Sequence, residues 1–297
     1  MSPFELLLAL IYFFIVSSMF SIGLNLGIKE ILDPFKKPGV LLNSLALNLL
    51  AIPLAGVGIA ILFSLEGAAL LGFLIMACSP GASYGPRITE FAGGDVGHSI
   101  GLMFLLCMVA IISAPLTIIL LIPGTGNVDI WPVIRTLAII QVIPLFFGMF
   151  LKAKRPWLTE RISAPVFWLS NISAAIVVVL AFAMRLFGGS KSSIFETICP
   201  CAIMATILLV AISLVAGYHL GGAHEETKKS MAVSTSIRNA GVAFLIAVGS
   251  FTEVSGVLSV IIMYIFFQTL MTGVLAGWWG WKYFKEHENQ NETGNGS

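Results

Sequence analysis

Long apolar runs separated by short polar connections make up most of the chain. A helix that spans a bilayer needs about 20 predominantly apolar residues, and nine runs of the sequence have roughly that length or more. The runs are continuous and do not alternate between polar and apolar residues, so they predict helices rather than strands. The pattern therefore predicts an all-α membrane protein with about nine transmembrane helices. They cover residues 4–27, 40–64, 68–91, 97–122, 131–151, 163–187, 195–219, 230–250 and 254–281.

Two of these runs are interrupted by residues that break helices. The third contains SPGASYGP at residues 79–86, whose two prolines and two glycines favour unwinding. The eighth is polar at residues 234–239 before its apolar part begins. Backbone groups freed by such breaks cannot face lipid, so they are buried in protein or line a cavity. Unwound mid-membrane helices form binding sites in transporters and occur at matching places in two halves of a chain.

The positions of the two breaks predict an inverted repeat. Spans two to four and spans seven to nine each form a group of three whose middle helix is broken. Equivalent positions in the two groups are separated by five spans, and an odd number inverts one group relative to the other in the membrane. We therefore expect two three-helix groups of opposite orientation.

Composition and charge agree with a chain that lies almost entirely in the lipid bilayer. Hydrophobic residues make up 58% of the chain and charged residues 10%, against roughly 25% charged residues in soluble domains. A net charge of +1 argues against nucleic acid as a partner. The four cysteines and four histidines lack the spacing of a metal site or of a catalytic group. No metal, no cofactor and no enzymatic activity are therefore expected.

Lysine and arginine residues predict the orientation of the chain. With nine spans, the basic residues of the connections after spans one, five and seven and of the C-terminal tail fall on one side. The opposite side has only Lys191, with Arg135 and Arg185 near its span ends. The positive-inside rule assigns the basic side to the cytoplasm. We expect a multi-pass protein of the cell membrane, with its N-terminus outside and its C-terminus in the cytoplasm.

Three motifs resemble the two crossing broken helices of the bile acid:sodium symporter family: SPGASYGP, the GGDVGHS that follows it, and the later IRNAGVAFLIA. The similarity covers nearly the whole chain in span order and matches a nine-span, bacterial-type form. It implies a secondary transporter that works by alternating access between two domains. The core domain would comprise residues 40–122 and 195–284, and the panel domain residues 1–39 and 131–187.

The sodium ligands that this resemblance implies are largely absent from the sequence. The family's first motif ends in Ser-Asn, which falls on Gly85 and Pro86, and these offer no side-chain ligand. A supporting serine is kept as Ser99. The glutamate of the second motif falls on Ser234 and its glutamine on Arg238. We interpret Gly85, Pro86, Ser99 and Ser234 as the remnant of an ion site.

Two arginines lie at or beside these lost ligands, Arg87 after the first break and Arg238 in the second. An arginine at the centre of a transmembrane helix costs about 2.5–3.5 kcal/mol on insertion scales, and it keeps its proton in proteins. We hypothesise that the two guanidinium groups replace bound sodium as fixed charges, which makes sodium doubtful as a partner. They would bind the carboxylate or sulfonate of a small or amphipathic organic anion.

Further polar residues complete the predicted substrate site. Ser83 and Ser236 lie beside the two breaks, and Asn48 and Asn239 occupy positions that the family resemblance singles out. His98 is a possible proton carrier because histidine titrates near neutral pH. An interfacial histidine with satisfied hydrogen bonds is the more common case at the end of a span.

Several alternatives stay open at the level of sequence. A scaffold role would pair Arg87 with Glu90 or Asp95, and Arg238 with backbone carbonyls of the opposite break. A sodium- or proton-coupled symporter would retain ion coupling, and a receptor or sensor on the same fold would bind its ligand without moving it. Keto acids, pantoate-like acids and sulfonates fit the charge of the site equally well.

Overall fold

The computed structural model describes residues 3–121, 131–187, 199–250 and 254–294, and all regular elements in these ranges are helical. A 3₁₀ turn at Asp33–Lys36 and a π turn at Leu47–Ala51 join α-helices end to end. The α-helices are α1 (Pro3–Asn25), α2 (Ile28–Leu32), α3 (Pro38–Ala46), α4 (Ile52–Leu62), α5 (Gly67–Ala77), α6 (Gly85–Phe91), α7 (Val96–Leu121), α8 (Trp131–Lys154), α9 (Pro156–Phe187), α10 (Pro200–Leu220), α11 (Glu225–Ser236), α12 (Ala240–Ser250) and α13 (Val254–Gly294).

The predicted fold class, an all-α membrane protein, is confirmed. Within the described ranges, eight helical segments are long and apolar enough to cross a membrane. The predicted span that is not among these eight is the third, residues 68–91, whose apolar helix α5 has only 11 residues. The count therefore differs because the chain unwinds after Ala77 instead of continuing as one long helix. Lys191, which enters the predicted orientation, lies outside the described residues.

Several connections that the sequence predicts as polar loops are helical. Only Arg155 separates α8 from α9. Pro156 can begin α9 directly after it, because a proline at the first position of a helix sacrifices no hydrogen bond. Helix α11 begins at Glu225, and the two acidic residues in its first turn stabilise the helix because they lie at the positive end of its dipole. Charged residues of the predicted loops thus extend the membrane helices beyond their apolar parts.

The helices form two sets of close contacts. Helix α1 packs mainly against α8 and α9, whereas α10 packs against α11 and α5 packs against α13. Helices α11 and α12 lie at the centre of the molecule, with 89% of their most apolar window buried. The segment that is polar in the sequence is therefore the one most enclosed by other helices.

Glycines bring α1 and α8 into backbone contact. A β-carbon at Gly148 would lie 2.6 Å from the carbonyl oxygen of Phe20, and one at Gly23 would overlap the carbonyl oxygen of Leu145. Small residues are the usual means by which membrane helices approach closely. The pairing of α1 with α8 therefore depends on the absence of a side chain at these two positions.

We expect Gly148→Ala to lower the melting temperature of the detergent-purified protein by several degrees. The added methyl group meets backbone atoms that cannot rotate away, and such overpacking costs about 1–3 kcal/mol. Gly273→Ala on α13 is the matched control, because a β-carbon there has nothing within 4 Å. Equal melting temperatures for the two variants would show that α1 and α8 do not approach as described.

Candidate functional site

The two predicted breaks are present, and they contact each other. Residues 78–84 are not helical between α5 and α6, and residues 237–239 are not helical between α11 and α12. The backbone N–H of Asn239 donates to the carbonyl oxygen of Ser79 at 2.7 Å. The side-chain amide of Asn239 donates to the carbonyl oxygen of Gly81 at 2.9 Å. Each break thus supplies hydrogen-bond partners for the other at a buried crossing point.

Gly81 and Asn239 shape this crossing. Gly81 has a φ of +88°, and a β-carbon there would lie 2.7 Å from the backbone nitrogen of Cys107, so both conformation and space require glycine. The Cys107 thiol donates to the carbonyl oxygen of Gly81 at 2.8 Å. Asn239 also accepts a hydrogen bond from the N–H of Val242 at 3.2 Å, which caps the start of α12. Asn239 is therefore a structural residue of the crossing.

Arg238 is fully buried beside this crossing. One terminal nitrogen, Nη1, donates to Oδ1 of Asn48 at 3.2 Å, while Nε and Nη2 have no hydrogen-bond partner. Its guanidinium interacts electrostatically with the buried Tyr264, whose hydroxyl has no partner of hydrogen-bond geometry. No carboxylate pairs with Arg238 in the described part of the chain. The site encloses a permanent positive charge whose donors are only partly used.

A π turn presents Asn48 to this arginine. The turn covers Leu47–Ala51, and Asn48 also donates to the carbonyl oxygen of Ser44 at 3.0 Å and to the Thr235 hydroxyl at 3.4 Å. Single π turns are rare and occur frequently at functional sites. The sequence-predicted residues Asn48, Arg238 and Asn239 are thus brought together, although only Asn48 and Arg238 bond to each other.

The four residues interpreted as a remnant ion site also lie close together. The hydroxyl of Ser99 is 3.4 Å from that of Ser234 and 3.1 Å from that of Thr89. Gly85, Pro86 and Ser234 line a void of about 10 Å³ next to the crossing. This donor set contains hydroxyls but no carboxylate, and the described residues contain no cluster of His, Cys, Asp and Glu that could hold a metal.

A larger cavity of about 260 Å³ opens on the other side of Pro86, between α1, α7 and α9. The predicted site residues Ser83 and Arg87 line it. So do several polar residues that the sequence pattern does not single out. The lining is Ser18, Ser21, Ile22, Asn25, Ser83, Tyr84, Pro86, Arg87, Glu90, Val96, Ile100, Met103, Phe167, Ser170 and Asn171.

Arg87 faces this cavity with about half of its side chain exposed. Its Nη1 lies 3.1 Å from Oε2 of Glu90, and its guanidinium carbon lies 5.3 Å from the centre of the Phe167 ring. The pairing with Glu90 is the one that the scaffold alternative predicts. The aromatic contact adds a cation–π interaction from α9, so the guanidinium is held at the cavity wall from two sides.

A chain of hydrogen bonds joins Arg238 to the cavity wall. The backbone N–H of Arg238 donates to Oε1 of Gln268 at 2.9 Å, and Nε2 of Gln268 donates to the Tyr84 hydroxyl at 2.8 Å. The Tyr84 hydroxyl also lies 3.1 Å from that of Thr269. Because Tyr84 lines the cavity, these hydrogen bonds connect its wall to the backbone of the second break.

Several predicted site residues lie outside the lining of this cavity, namely Asn48, Arg238 and Asn239 at the crossing, and Ser236 and His98. Ser236 is buried against α13, 3.0 Å from the Thr272 hydroxyl, so it contributes to helix packing. His98 is fully buried on α7 and neither ring nitrogen has a hydrogen-bond partner. The ring of His98 therefore lacks the hydrogen bonds that are expected for a histidine at the end of a span. The sequence gives its position along α7 but not the neighbours that surround its ring.

Sequence reasoning missed several residues of the site. Tyr84 and Gln268 meet across 184 positions of the chain, and nothing in the local pattern of either indicates the contact. Phe167 and Asn171 lie one helical turn apart on the same face of α9. This spacing could indicate that the face lines a cavity. The sequence indicates Glu90 only as a partner for Arg87.

A charged cluster ties three segments together at the base of α7. Nζ of Lys37 donates to Oδ2 of Asp95 at 2.9 Å and to the Thr227 hydroxyl at 2.9 Å. The carboxyl of Asp95 also accepts from the backbone N–H of His98. Partial burial raises the pKa of Asp95, but the hydrogen bonds from His98 and Lys37 outweigh it and hold the pKa below its ordinary value.

Comparison with known proteins supports a transporter. The sodium bile acid symporter family model matches residues 12–191. The chain is 24% identical to the "Probable sodium/metabolite cotransporter BASS3, chloroplastic" of Oryza sativa subsp. japonica, over 88% of this chain and 62% of that protein's length. It is 25% identical to the human "Ileal sodium/bile acid cotransporter", over 88% and 76%, and 21% identical to the "Uncharacterized sodium-dependent transporter YocS" of Bacillus subtilis (strain 168), over 93% and 84%.

We expect Lys37→Gln to lower the melting temperature at pH 7. Because the pKa of Asp95 is depressed in the folded protein, its contribution to stability is present above the unfolded pKa of about 3.9. It is lost as pH falls through the folded pKa, so the difference between Lys37→Gln and wild type shrinks in acid.

Lys36→Gln provides the control for this prediction. Lys36 pairs with Asp33 but is largely exposed, and such surface pairs contribute little. Melting curves of the three proteins between pH 3 and 7 make the comparison. A deficit for Lys37→Gln that persists unchanged at pH 3 would contradict the role assigned to Asp95.

Proposed function

Because the chain belongs to the sodium bile acid symporter family, we propose that it is a secondary transporter that moves a small organic anion without coupling to sodium. The relatives named above are transporters and not enzymes. The single observation that carries the absence of sodium coupling is the enclosed guanidinium of Arg238, with two donor nitrogens free of hydrogen bonds.

Arg238 replaces a mobile cation with a permanent one. Its position corresponds to a glutamine of the family's second motif, and Ser234 corresponds to the glutamate. A sodium ion needs oxygen ligands and is repelled by a positive charge in a medium of low dielectric constant. Arginine keeps its proton in proteins, so this charge cannot be released on one side of the membrane and taken up on the other.

The cavity beside Arg87 supports an anionic substrate. A guanidinium group binds a carboxylate or sulfonate through two parallel hydrogen bonds. The remaining wall offers hydroxyls and an amide, namely those of Ser18, Ser21, Ser83, Ser170 and Asn171. A cavity of about 260 Å³ is at the small end of ligand sites, which favours a compact, polar anion as the substrate of this conformation.

The packing of the helices supports a division into two moving parts. Helices α1, α8 and α9 contact each other closely and would form the panel domain, while the broken helices and their neighbours would form the core domain. The cavity lies between α1 and α9 on one side and α6 and α7 on the other. Motion of one domain against the other would open the cavity alternately to each side of the membrane. The C-terminus would lie in the cytoplasm.

Thermal unfolding in detergent tests the proposal. A ligand that binds only the native state stabilises it by about 2.7 kcal/mol at 100 times its Kd. We expect carboxylates or sulfonates of a small panel to raise the melting temperature equally in sodium and potassium buffers of the same ionic strength. An anion effect that requires sodium would show that an ion site persists, and the proposal of sodium independence would be wrong.

A double reversal tests the role given to Arg238. We expect Ser234→Glu combined with Arg238→Gln to gain thermal stabilisation by sodium that wild type lacks, because a carboxylate there lies next to the Ser99 hydroxyl and the void that could hold a cation. Ser230→Glu combined with Arg238→Gln is the matched control, since Ser230 is also buried on α11 but is not a position of the family motif. A sodium effect in both variants, or in neither, would contradict the assignment of Ser234 as the lost ligand.

A further inference from the structure

We propose that the cavity beside Arg87 binds a compact zwitterion, a molecule that carries an ammonium group close to its carboxylate or sulfonate. This inference rests on the proposed function, because it concerns the same cavity and keeps the same anionic group at Arg87. It narrows the substrate class to molecules without net charge, whose ammonium group contacts Glu90 and neutral oxygens of the cavity wall.

Arg87 and Glu90 each keep an open binding face towards the cavity. Their side chains are 52% and 56% exposed, and they share one contact, from Nη1 of Arg87 to Oε2 of Glu90 at 3.1 Å. Among the described residues, the other guanidinium nitrogens and Oε1 of the carboxylate have no hydrogen-bond partner. The pair therefore offers donors to an anionic group and acceptors to a cationic group at one place.

A substrate with a negative charge and no positive charge fits this lining poorly. Arg87 and Glu90 are the only formally charged residues that line the cavity, so their charges cancel. An anionic group bound at Arg87 lies beside the like charge of Glu90, and the lining has no second cation to offset the repulsion. An ammonium group on the same molecule pairs with Glu90, and the substrate and the lining are then neutral together.

Two asparagines of the wall supply further acceptors. Nδ2 of Asn25 donates to the carbonyl oxygen of Ser21 at 2.8 Å, and Nδ2 of Asn171 donates to that of Phe167 at 2.8 Å. A carbonyl oxygen only accepts hydrogen bonds, so these contacts fix which end of each amide is the nitrogen. Oδ1 of both side chains has no donor in the described part of the chain. Each amide is therefore left with an oxygen that a ligand in the cavity can use.

The free acceptors of the lining match an ammonium group. Arg87 is the one side chain of the lining that can only donate, whereas Glu90 and the amide oxygens of Asn25 and Asn171 accept. An anionic group also only accepts, so a plain anion that displaces water leaves these acceptors without donors, which is costly. An ammonium group brings three donors and can satisfy them.

The contact within the ion pair limits the size of the substrate. Because Nη1 of Arg87 and Oε2 of Glu90 are 3.1 Å apart, their open faces are adjacent. The two charged groups of a ligand that uses both faces must then be separated by only a few bonds. A cavity of about 260 Å³ has the same implication. Amino acids and aminosulfonates with short carbon chains have these features.

A zwitterionic substrate is compatible with transport that has no coupling ion. Movement of a net charge through the membrane potential changes the free energy of transport, whereas a zwitterion carries none. The lining is neutral before and after such a molecule binds, since Arg87 and Glu90 cancel each other. No sodium ion is therefore needed to balance the charge of the occupied cavity.

Matched pairs of ligands test this inference by thermal shift of the purified protein in potassium buffer at pH 7. In 2-aminoethanesulfonate an ammonium group replaces the hydroxyl of 2-hydroxyethanesulfonate, and 3-aminopropanoate differs from 3-hydroxypropanoate in the same way. We expect wild type to bind the zwitterion of each pair about tenfold more tightly, because a hydrogen bond between charged groups is stronger than one from a hydroxyl. Equal affinities in both pairs, or tighter binding of the hydroxy acids, would overturn the inference and leave the small-anion site in place.

Changes at Glu90 separate recognition of the ammonium group from a structural role. Glu90→Gln keeps the size of the side chain and removes its charge, so the affinities within each pair should become equal to within about twofold. Glu90→Asp keeps a carboxylate and should still prefer the zwitterion, which guards against a Glu90→Gln protein that fails to fold. Glu160→Gln, on an exposed part of α9 outside the lining, is the matched control and should behave as wild type. A preference that Glu90→Gln retains in full would contradict the role given to Glu90.

The outcomes separate this inference from the proposed function. A lack of stabilisation by all of these ligands would overturn the small-anion site and this inference together. Zwitterion binding that requires sodium would contradict sodium independence and leave recognition by Glu90 intact. In sodium-free proteoliposomes, uptake of labelled 2-aminoethanesulfonate should be the same with and without an inside-negative potassium diffusion potential. Uptake that changes with this potential would overturn transport of the substrate as a neutral species.

Discussion

Everything at the centre of this molecule depends on one constraint, that no backbone N–H or C=O within a bilayer can be left without a partner. Two helices unwind at the same depth, and each repairs the other: the N–H and the side chain of Asn239 bond to Ser79 and Gly81. The unwound segments are therefore stable only as a crossed pair. Because they must meet, the side chains next to them, above all Arg238, are brought to a buried point that no continuous helix could provide.

Arg238 then determines the chemistry of that point. Its charge is enclosed, and the oxygens around it belong to the amide of Asn48 and to the phenol of Tyr264 rather than to a carboxylate. Breaking such an arrangement by removing one partner is costly, because an unpaired charge remains in a medium of low dielectric constant. The backbone N–H of Arg238 donates to Gln268, which in turn donates to Tyr84 at the wall of the cavity. The backbone of the crossing and the wall of the cavity are thus joined by a short path of hydrogen bonds.

The sequence predicts the parts of this arrangement that follow from local chemistry. Proline and glycine at residues 79–86 and the polar residues before Gly241 place both breaks, because their effects on a helix are intrinsic. The meeting of Gln268 with Tyr84, and of Phe167 with Arg87, depends on how whole helices pack, which no local pattern contains. Ser236 is a further example. It lies beside a break as predicted, but its side chain packs against α13, which the local sequence does not indicate.

The boundaries of the helices show a second limit of local reasoning. The sequence predicts loops at runs of charged residues such as those around Lys154 and Glu225, because these residues are polar. They are helical because polar residues stop a helix from being embedded in lipid, but they do not interrupt the backbone hydrogen bonds of the helix. The void of about 10 Å³ beside Ser234 carries a related lesson. It is close to the space that one water molecule needs, so room alone does not exclude an ion, and under the proposed function charge and ligands do. Capacity for an ion and affinity for one are therefore distinct properties of this crossing, because packing determines the first and the chemistry of the lining side chains determines the second.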